Sequence, residues 1–142
     1  MDYFVSEEKA LLDIEMVHDY LANESYWARG IPKEVVLTSI ENSMCFGVYS
    51  ANKQQLGFAR LITDKATFGY LADVFILKAH RGLGLSKLIM NFIDQHPQLQ
   101  GLRRMMLATH DAHSLYQQYG FVAADEPDKL MQKKLLNPYN QD

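Results

Sequence analysis

A chain of 142 residues is long enough to bury one substantial core and too short to divide comfortably into two, so a single domain over 1–142 is expected. With 48% hydrophobic and 22% charged residues, it has neither a disordered nor a fibrous composition. The net charge is -3, and the basic residues are scattered apart from Arg103-Arg104 and Lys133-Lys134, so nothing marks a surface for a phosphate backbone and no nucleic-acid partner is expected.

Cys45 is the single cysteine, which excludes an internal disulfide and a cysteine-based zinc site. No run of about 18 apolar residues occurs, and the first residues lack a basic flank followed by an apolar stretch; a cytoplasmic protein with no membrane partner is the expectation.

In chain order, Leu12, Ile14, Val17 and Leu21 recur at helical spacing, which predicts a helix over Leu11 to Leu21 that ends before Trp27. Pro32 at a first helical position, then Val35, Val36 and Ile40, predicts a second helix stopped by Asn42-Ser43. Met44 to Tyr49 and Gln55 to Ile62 flank a polar turn and read as a hairpin, and Thr67 to Leu77 reads as a central strand interrupted by Asp73. Leu85, Leu88, Ile89, Phe92 and Ile93 predict a helix before His96-Pro97. A short strand at Met105 to Ala108, a helix from Ala112 to Gln118 and a last strand at Leu130 to Leu136 complete the series. Strands grouped together and followed by a strand-helix-strand crossover imply a mixed α+β sheet with a parallel portion.

The strand ending at Leu77 runs through Arg81-Gly82-Leu83-Gly84-Leu85-Ser86 into a helix. Two glycines let the backbone turn its N–H groups toward a ligand, and the helix start adds unpaired donors and a positive dipole end, a combination suited to phosphate; a merely tight connection is the alternative. The dinucleotide fingerprint fails because position 87 is Lys, and a Walker loop is absent.

This stretch resembles the pyrophosphate loop of the GNAT acetyltransferase superfamily, in which Gln or Arg, two residues, Gly, one residue and then Gly or Ala recur, with Ser86 at the last place here. Downstream, Ala112-His113-Ser114-Leu115-Tyr116-Gln117-Gln118-Tyr119-Gly120-Phe121 is similar to the family's Ala-x-x-Leu-Tyr-x-x-x-Gly-Phe segment. Where the family often has Asn, this chain has Thr109. The resemblance covers about Met44 to Leu136. It implies a GNAT-type fold, with a mixed, mostly antiparallel sheet that has a parallel splayed pair and flanking helices. It also implies an acyltransferase that uses acetyl-CoA as cosubstrate, with no metal, and it admits a homodimer.

By the same resemblance, the backbone of Val74, Phe75, Ile76 and Leu77 would receive pantetheine and the thioester, and Arg81, Gly82, Leu83, Gly84, Leu85 and Ser86 would hold the pyrophosphate. Tyr116 would protonate the departing thiolate. Backbone donors can supply much of the stabilisation of a developing oxyanion. Asp73 stands alone among apolar neighbours and so needs a partner, a wet cleft or a shifted pKa; it is a candidate proton acceptor or anchor for a cationic amine, or else a partner for Arg60.

Tyr26 and Trp27 lie in a loop that could line the acceptor pocket or staple the helices to the sheet. His110, Asp111 and His113 lack the spacing of helical zinc sites, and Asp111 is expected to cap the helix from Ala112. Cys45 reads as a core residue. Slight acidity, with Asp73 and Asp64, points to a cationic small-molecule amine as acceptor; a noncatalytic CoA-binding or sensing module, acetylation of a protein N-terminus or lysine, and a plain interaction protein are the competing readings.

Overall fold

The computed structural model describes residues 2–139. Five strands form one sheet in the order β1 to β5: β1 Tyr3–Ser6, β2 Met44–Ser50, β3 Gln55–Thr63, β4 Phe68–Ile76 and β5 Arg104–Leu107. The first four pair antiparallel, and β5 runs parallel to β4. Helices α1 Ile14–Asp19 and α2 Lys33–Glu41 lie between β1 and β2 in the chain, α3 Leu85–Asp94 forms the crossover from β4 to β5, and α4 His113–Gln117 follows β5. The expected mixed sheet with one parallel pair and flanking helices is therefore present.

Each face of the sheet buries its own apolar cluster. Phe46, Val48, Leu61 and Leu71 pack against Leu85, Ile89, Met90 and Ile93 of α3, whose apolar residues fall on one stripe at helical spacing. On the opposite face, Phe58 and Phe75 pack under Val17, Leu21, Val36 and Ile40 of the first two helices. Cys45 belongs to this second cluster and is buried; desolvation pushes its thiol up to about 11, so it is a packing residue. Tyr49 lies fully buried in β2, stacked on Phe4 with ring centroids 5.2 Å apart. Its ring folds over Gly47, where any Cβ would collide with it, and its hydroxyl is buried with no hydrogen-bond partner among the described residues.

Four expectations need correction. Tyr3–Ser6 forms a strand that was not foreseen, held by four pairings to β2 from Tyr3↔Ser50 to Ser6↔Gly47. The first helix is shorter than Leu11 to Leu21: Asp13 caps it by accepting from the Met16 amide at 3.1 Å, and after Asp19 the chain widens into a π-turn, Tyr20–Glu24, closed by Ser25 N to Tyr20 O at 2.9 Å. Pro32 stands just before the second helix as its cap residue. Leu130 to Leu136 forms no strand; from Met131 on, the described backbone makes no hydrogen bond, and Met131, Leu135 and Leu136 are 96%, 76% and 86% exposed. The segment reads Leu-Met-Gln-Lys-Lys-Leu-Leu, whose polar residues are grouped rather than alternating, so no apolar face is set up for a sheet.

Candidate active site

The parallel ladder stops at Leu71↔Leu107, while β4 continues to Ile76. On the side facing β5, the backbone from Ala72 to Ile76 thus has no strand partner, and the two strands part. A bulge sits at the same place: β4 pairs with β3 as Arg60↔Ala72 and next as Phe58↔Phe75, leaving Asp73 and Val74 opposite Ala59. Asp73 adopts φ 55°, a left-handed conformation that Asp tolerates better than most residues. Val74, Phe75, Ile76 and Leu77 all direct side chains into packed clusters, so only their peptide groups are available to a ligand.

The bulge aims the Asp73 carboxylate at two donors. Its Oδ1 accepts from Trp27 Nε1 at 2.8 Å and its Oδ2 from Arg60 Nε at 2.8 Å, while Arg60 Nη1 donates to Ser43 Oγ at 3.0 Å. The pair is mostly shielded, with the Arg60 and Asp73 side chains 15% and 9% exposed. Of the roles weighed for Asp73, pairing with Arg60 is the one the side chains display.

Beyond β4, the chain makes a 3₁₀ turn at Lys78–His80 and enters α3 through Gly82 at φ 81° and Gly84 at φ 77°. Both values belong to the region that disfavours side chains, and a Cβ at either glycine would meet nothing within 4 Å, so the glycines serve conformation and the turn is open. Leu88 N to Gly84 O is the first helical bond; among the described residues nothing accepts from the amides of residues 82–87, and Gly84 supplies no side-chain cap. Leu83 is exposed, Ser86 half-buried, and Leu85 buried in the α3 cluster, so Leu85 can offer its amide alone. The Arg81 guanidinium faces inward, donating from Nε to Ile76 O at 3.0 Å and from Nη2 to Tyr20 Oη at 2.9 Å. It braces the turn, and Lys78 and Lys87 are cations close to it in the chain.

Tyr116, in α4, is 7% exposed and packs edge-on against Phe121 at 5.9 Å. It lines a cavity of about 800 Å³ with Met105, Leu107 and Thr109, which runs along β5 between α3 and α4 and does not reach the glycine turn. Burial, then the neighbouring Tyr26 and Asp111, push the Tyr116 phenol above its ordinary range. Tyr26 also packs 4.5 Å from the His110 ring and edge-on against Trp27 at 5.0 Å. The loop before α2 and the loop after β5 therefore meet beyond the point where the strands part, which brings Tyr26, Trp27, Asp73 and Tyr116 to one end of the sheet.

Other residues fall elsewhere. Asp64 lies at the far end of β4, where its carboxylate accepts from the Ala66, Thr67 and Phe68 amides and the Thr67 hydroxyl; these hold it far below the usual carboxylate range. It builds the β3–β4 turn and takes no part in the cleft. Asp111 does not cap α4; Ala112 occupies that position, and Thr109 Oγ1 accepts from its amide at 3.1 Å. The sequence reading considered His110 only as a metal ligand and missed Tyr20 altogether. The one signal for His110 was its place just after a strand end. Among the described residues, no three His, Cys, Asp or Glu side chains converge as a metal site would require, and no helix is long and apolar enough to cross a membrane.

A strand that parts from its parallel neighbour at a bulge, followed by an open amide turn into a helix, is the architecture of an acetyltransferase of the GNAT family. The family profile described as Acetyltransferase (GNAT) domain matches residues 41–123, more than half of the chain, and the chain belongs to that family. A Gibberella zeae protein named as a candidate acetyltransferase is 33% identical over 136 residues, covering 81% of this chain and 76% of that protein. A Xanthomonas campestris crystal structure, described as a candidate acetyltransferase of the GNAT family, is 45% identical, with a TM-score of 0.95 over 99% of both chains. Glucosamine-6-phosphate N-acetyltransferase from Arabidopsis thaliana shares the fold, with a TM-score of 0.67 at 13% identity over 96% of this chain and 100% of that one.

Proposed function

We propose that this chain is an acetyl-CoA-dependent N-acetyltransferase that acetylates a primary amine on a small-molecule acceptor. The observation that carries the reading is the succession of two stretches of peptide groups without strand or helix partners, the edge of β4 past Leu71 and the amides of residues 82–87. An extended, amide-rich arm ending in a diphosphate suits that track: strand-like bonds fit pantetheine, and converging N–H groups at a helix start with Lys78 and Lys87 nearby fit phosphate. Acetyl-CoA supplies the activated acyl group and a thiolate leaving group.

The residues of the chain then divide the work. Peptide N–H groups of β4 near the bulge stabilise negative charge on the acyl oxygen. As the neutral amine forms the C–N bond and sheds a proton to water, Tyr116, a phenol whose pKa burial raises, gives its proton to the sulfur when the C–S bond breaks and takes one back from water. Asp73 already has both oxygens engaged and acts as a positioning residue, orienting Trp27 beside Tyr26 at the acceptor end. An exposed aromatic pair there favours an amine with an apolar or cationic body.

The test is release of free CoA thiol from acetyl-CoA against a panel of amines, amino acids and peptide N-termini. Turnover with a small amine supports the proposal, and turnover only with peptides moves the acceptor class. Binding of CoA without turnover of any acceptor identifies a noncatalytic CoA-binding module.

A further inference from the structure

One guanidinium joins the glycine turn to the segment that leads into the aromatic loop. Arg81 donates from Nε to Ile76 O at 3.0 Å, at the end of β4, and from Nη2 to Tyr20 Oη at 2.9 Å. The Tyr20 ring is 7% exposed and stacks on Phe75, with centroids 3.9 Å apart and planes 6° from parallel. That stack holds the ring by itself, so the hydroxyl bond to Arg81 is a connection that packing does not require.

Tyr20 also begins the π-turn Tyr20–Glu24, and the loop carrying Tyr26 and Trp27 follows directly from it. Ser25 N donates to Tyr20 O at 2.9 Å. Ser25 is 1% exposed; its hydroxyl donates to Leu21 O at 2.7 Å and accepts from Ala28 N at 3.0 Å. Gly30 N then donates back to Ala22 O at 2.9 Å, and Ile31 N to Ala28 O at 3.0 Å. The root of these bonds is the residue that Arg81 holds. Widened turns of this kind recur where a helix serves a site.

A ligand that fixes the glycine turn thereby stiffens the loop without touching it. Once the amides of residues 82–87 are engaged, Arg81 has less freedom, its guanidinium stays on Tyr20, and the loop has less entropy left to lose when an acceptor arrives. We infer that Tyr20 is a positioning residue through which CoA and the acceptor strengthen each other's binding, an inference that rests on the acetyl-CoA reading above. The coupling is reciprocal: the factor by which CoA tightens the acceptor is the factor by which the acceptor tightens CoA.

Hydrogen exchange on the full chain, without CoA and with CoA at saturation, tests this and needs no acceptor. In the native chain CoA should slow exchange at 82–87 and also, at least about fivefold, at the bonded amides of Ser25, Ala28, Gly30 and Ile31. Tyr20→Phe keeps the ring on Phe75 and loses only the hydroxyl; folded by circular dichroism, it should show slowing at 82–87 alone. Arg81→Lys, whose ammonium cannot span Ile76 and Tyr20 with one planar fork, should lose the loop response in the same way. The inference is overturned by a native chain in which CoA slows 82–87 and leaves 25–31 unchanged. Variants that both keep the loop response overturn it as well, since CoA would then reach the loop directly. A native chain that binds no CoA by calorimetry removes the cofactor reading itself, and the coupling with it.

Discussion

Trp27 and Asp73, 46 residues apart, are joined by a hydrogen bond from the indole Nε1 to Oδ1 of 2.8 Å, and this bond ties the aromatic loop to the bulge of the central strand. Trp27→Phe keeps the ring but frees it from the carboxylate. The expected result is a rise of about tenfold in KM for the amine, with CoA affinity from calorimetry unchanged. An equal rise in both constants would show that the contact merely holds the fold.

Asp73→Asn leaves the Arg60 guanidinium without its counter-charge in a shielded setting. Loss of one partner from such a pair should lower stability by about 3 kcal/mol in denaturant unfolding. If Arg60 turned out to be fully wet, the loss would fall below about 1 kcal/mol.

For Tyr116, removal of the hydroxyl as Tyr116→Phe should cut kcat about 100-fold and leave KM for acetyl-CoA nearly constant. Because burial raises the phenol pKa, the protonated donor persists as pH rises through the ordinary phenol range of about 10. The kcat profile of the native enzyme should therefore show no alkaline limb from this group below that range. A variant within twofold of native kcat would remove Tyr116 from the chemistry.

Gly84→Ala places a side chain at φ 77°, where there is room for it but conformational cost remains. A stability loss of about 1 kcal/mol is expected. If the turn relaxes toward negative φ, its amides diverge, and CoA affinity should drop about tenfold by calorimetry.

Tyr49 has a buried hydroxyl with no partner among the described residues, so Tyr49→Phe should stabilise the protein by about 1 kcal/mol at neutral pH. Desolvation pushes the native phenol up to about 12, whereas the unfolded chain ionises near 10. The native state then holds the proton more tightly, so the stability this group contributes is complete below pH 10 and is lost as pH rises toward 12, at about 1.4 kcal/mol per pH unit. Unfolding of the phenylalanine variant should lack that part of the alkaline decline.

Much of this molecule was legible from local pattern. The α3 stripe, the hairpin of β2 and β3, and the two linked motifs around Gly82 and Tyr116 lie in continuous stretches where period and glycine placement report directly on conformation. What escaped depended on partners distant in sequence. Four residues at Tyr3–Ser6 form a strand because β2 presents an edge, and Leu130 to Leu136, with its polar residues grouped at the centre, pairs with no strand among the described residues. Arg81 was read as part of the pyrophosphate loop, and its bond to Tyr20, 61 residues away, is a contact that no local pattern announces. Asp73 was conspicuous as a lone acid, but which of its roles the side chain would adopt depended on how the bulge turned it toward Arg60.

That bulge has an arithmetic consequence for β4. With Asp73 and Val74 both set against Ala59, the strand changes phase, so Phe75 rather than Val74 faces the first two helices and Ile76 turns to α3. Phe75 stacks on Tyr20 at 3.9 Å with planes 6° apart, and that same Tyr20 receives Arg81. Deleting a single residue at 73 or 74 would thus restore plain alternation opposite Ala59 and leave Phe75 on Tyr20, while removing the bulge that turns a carboxylate toward Trp27 and Arg60.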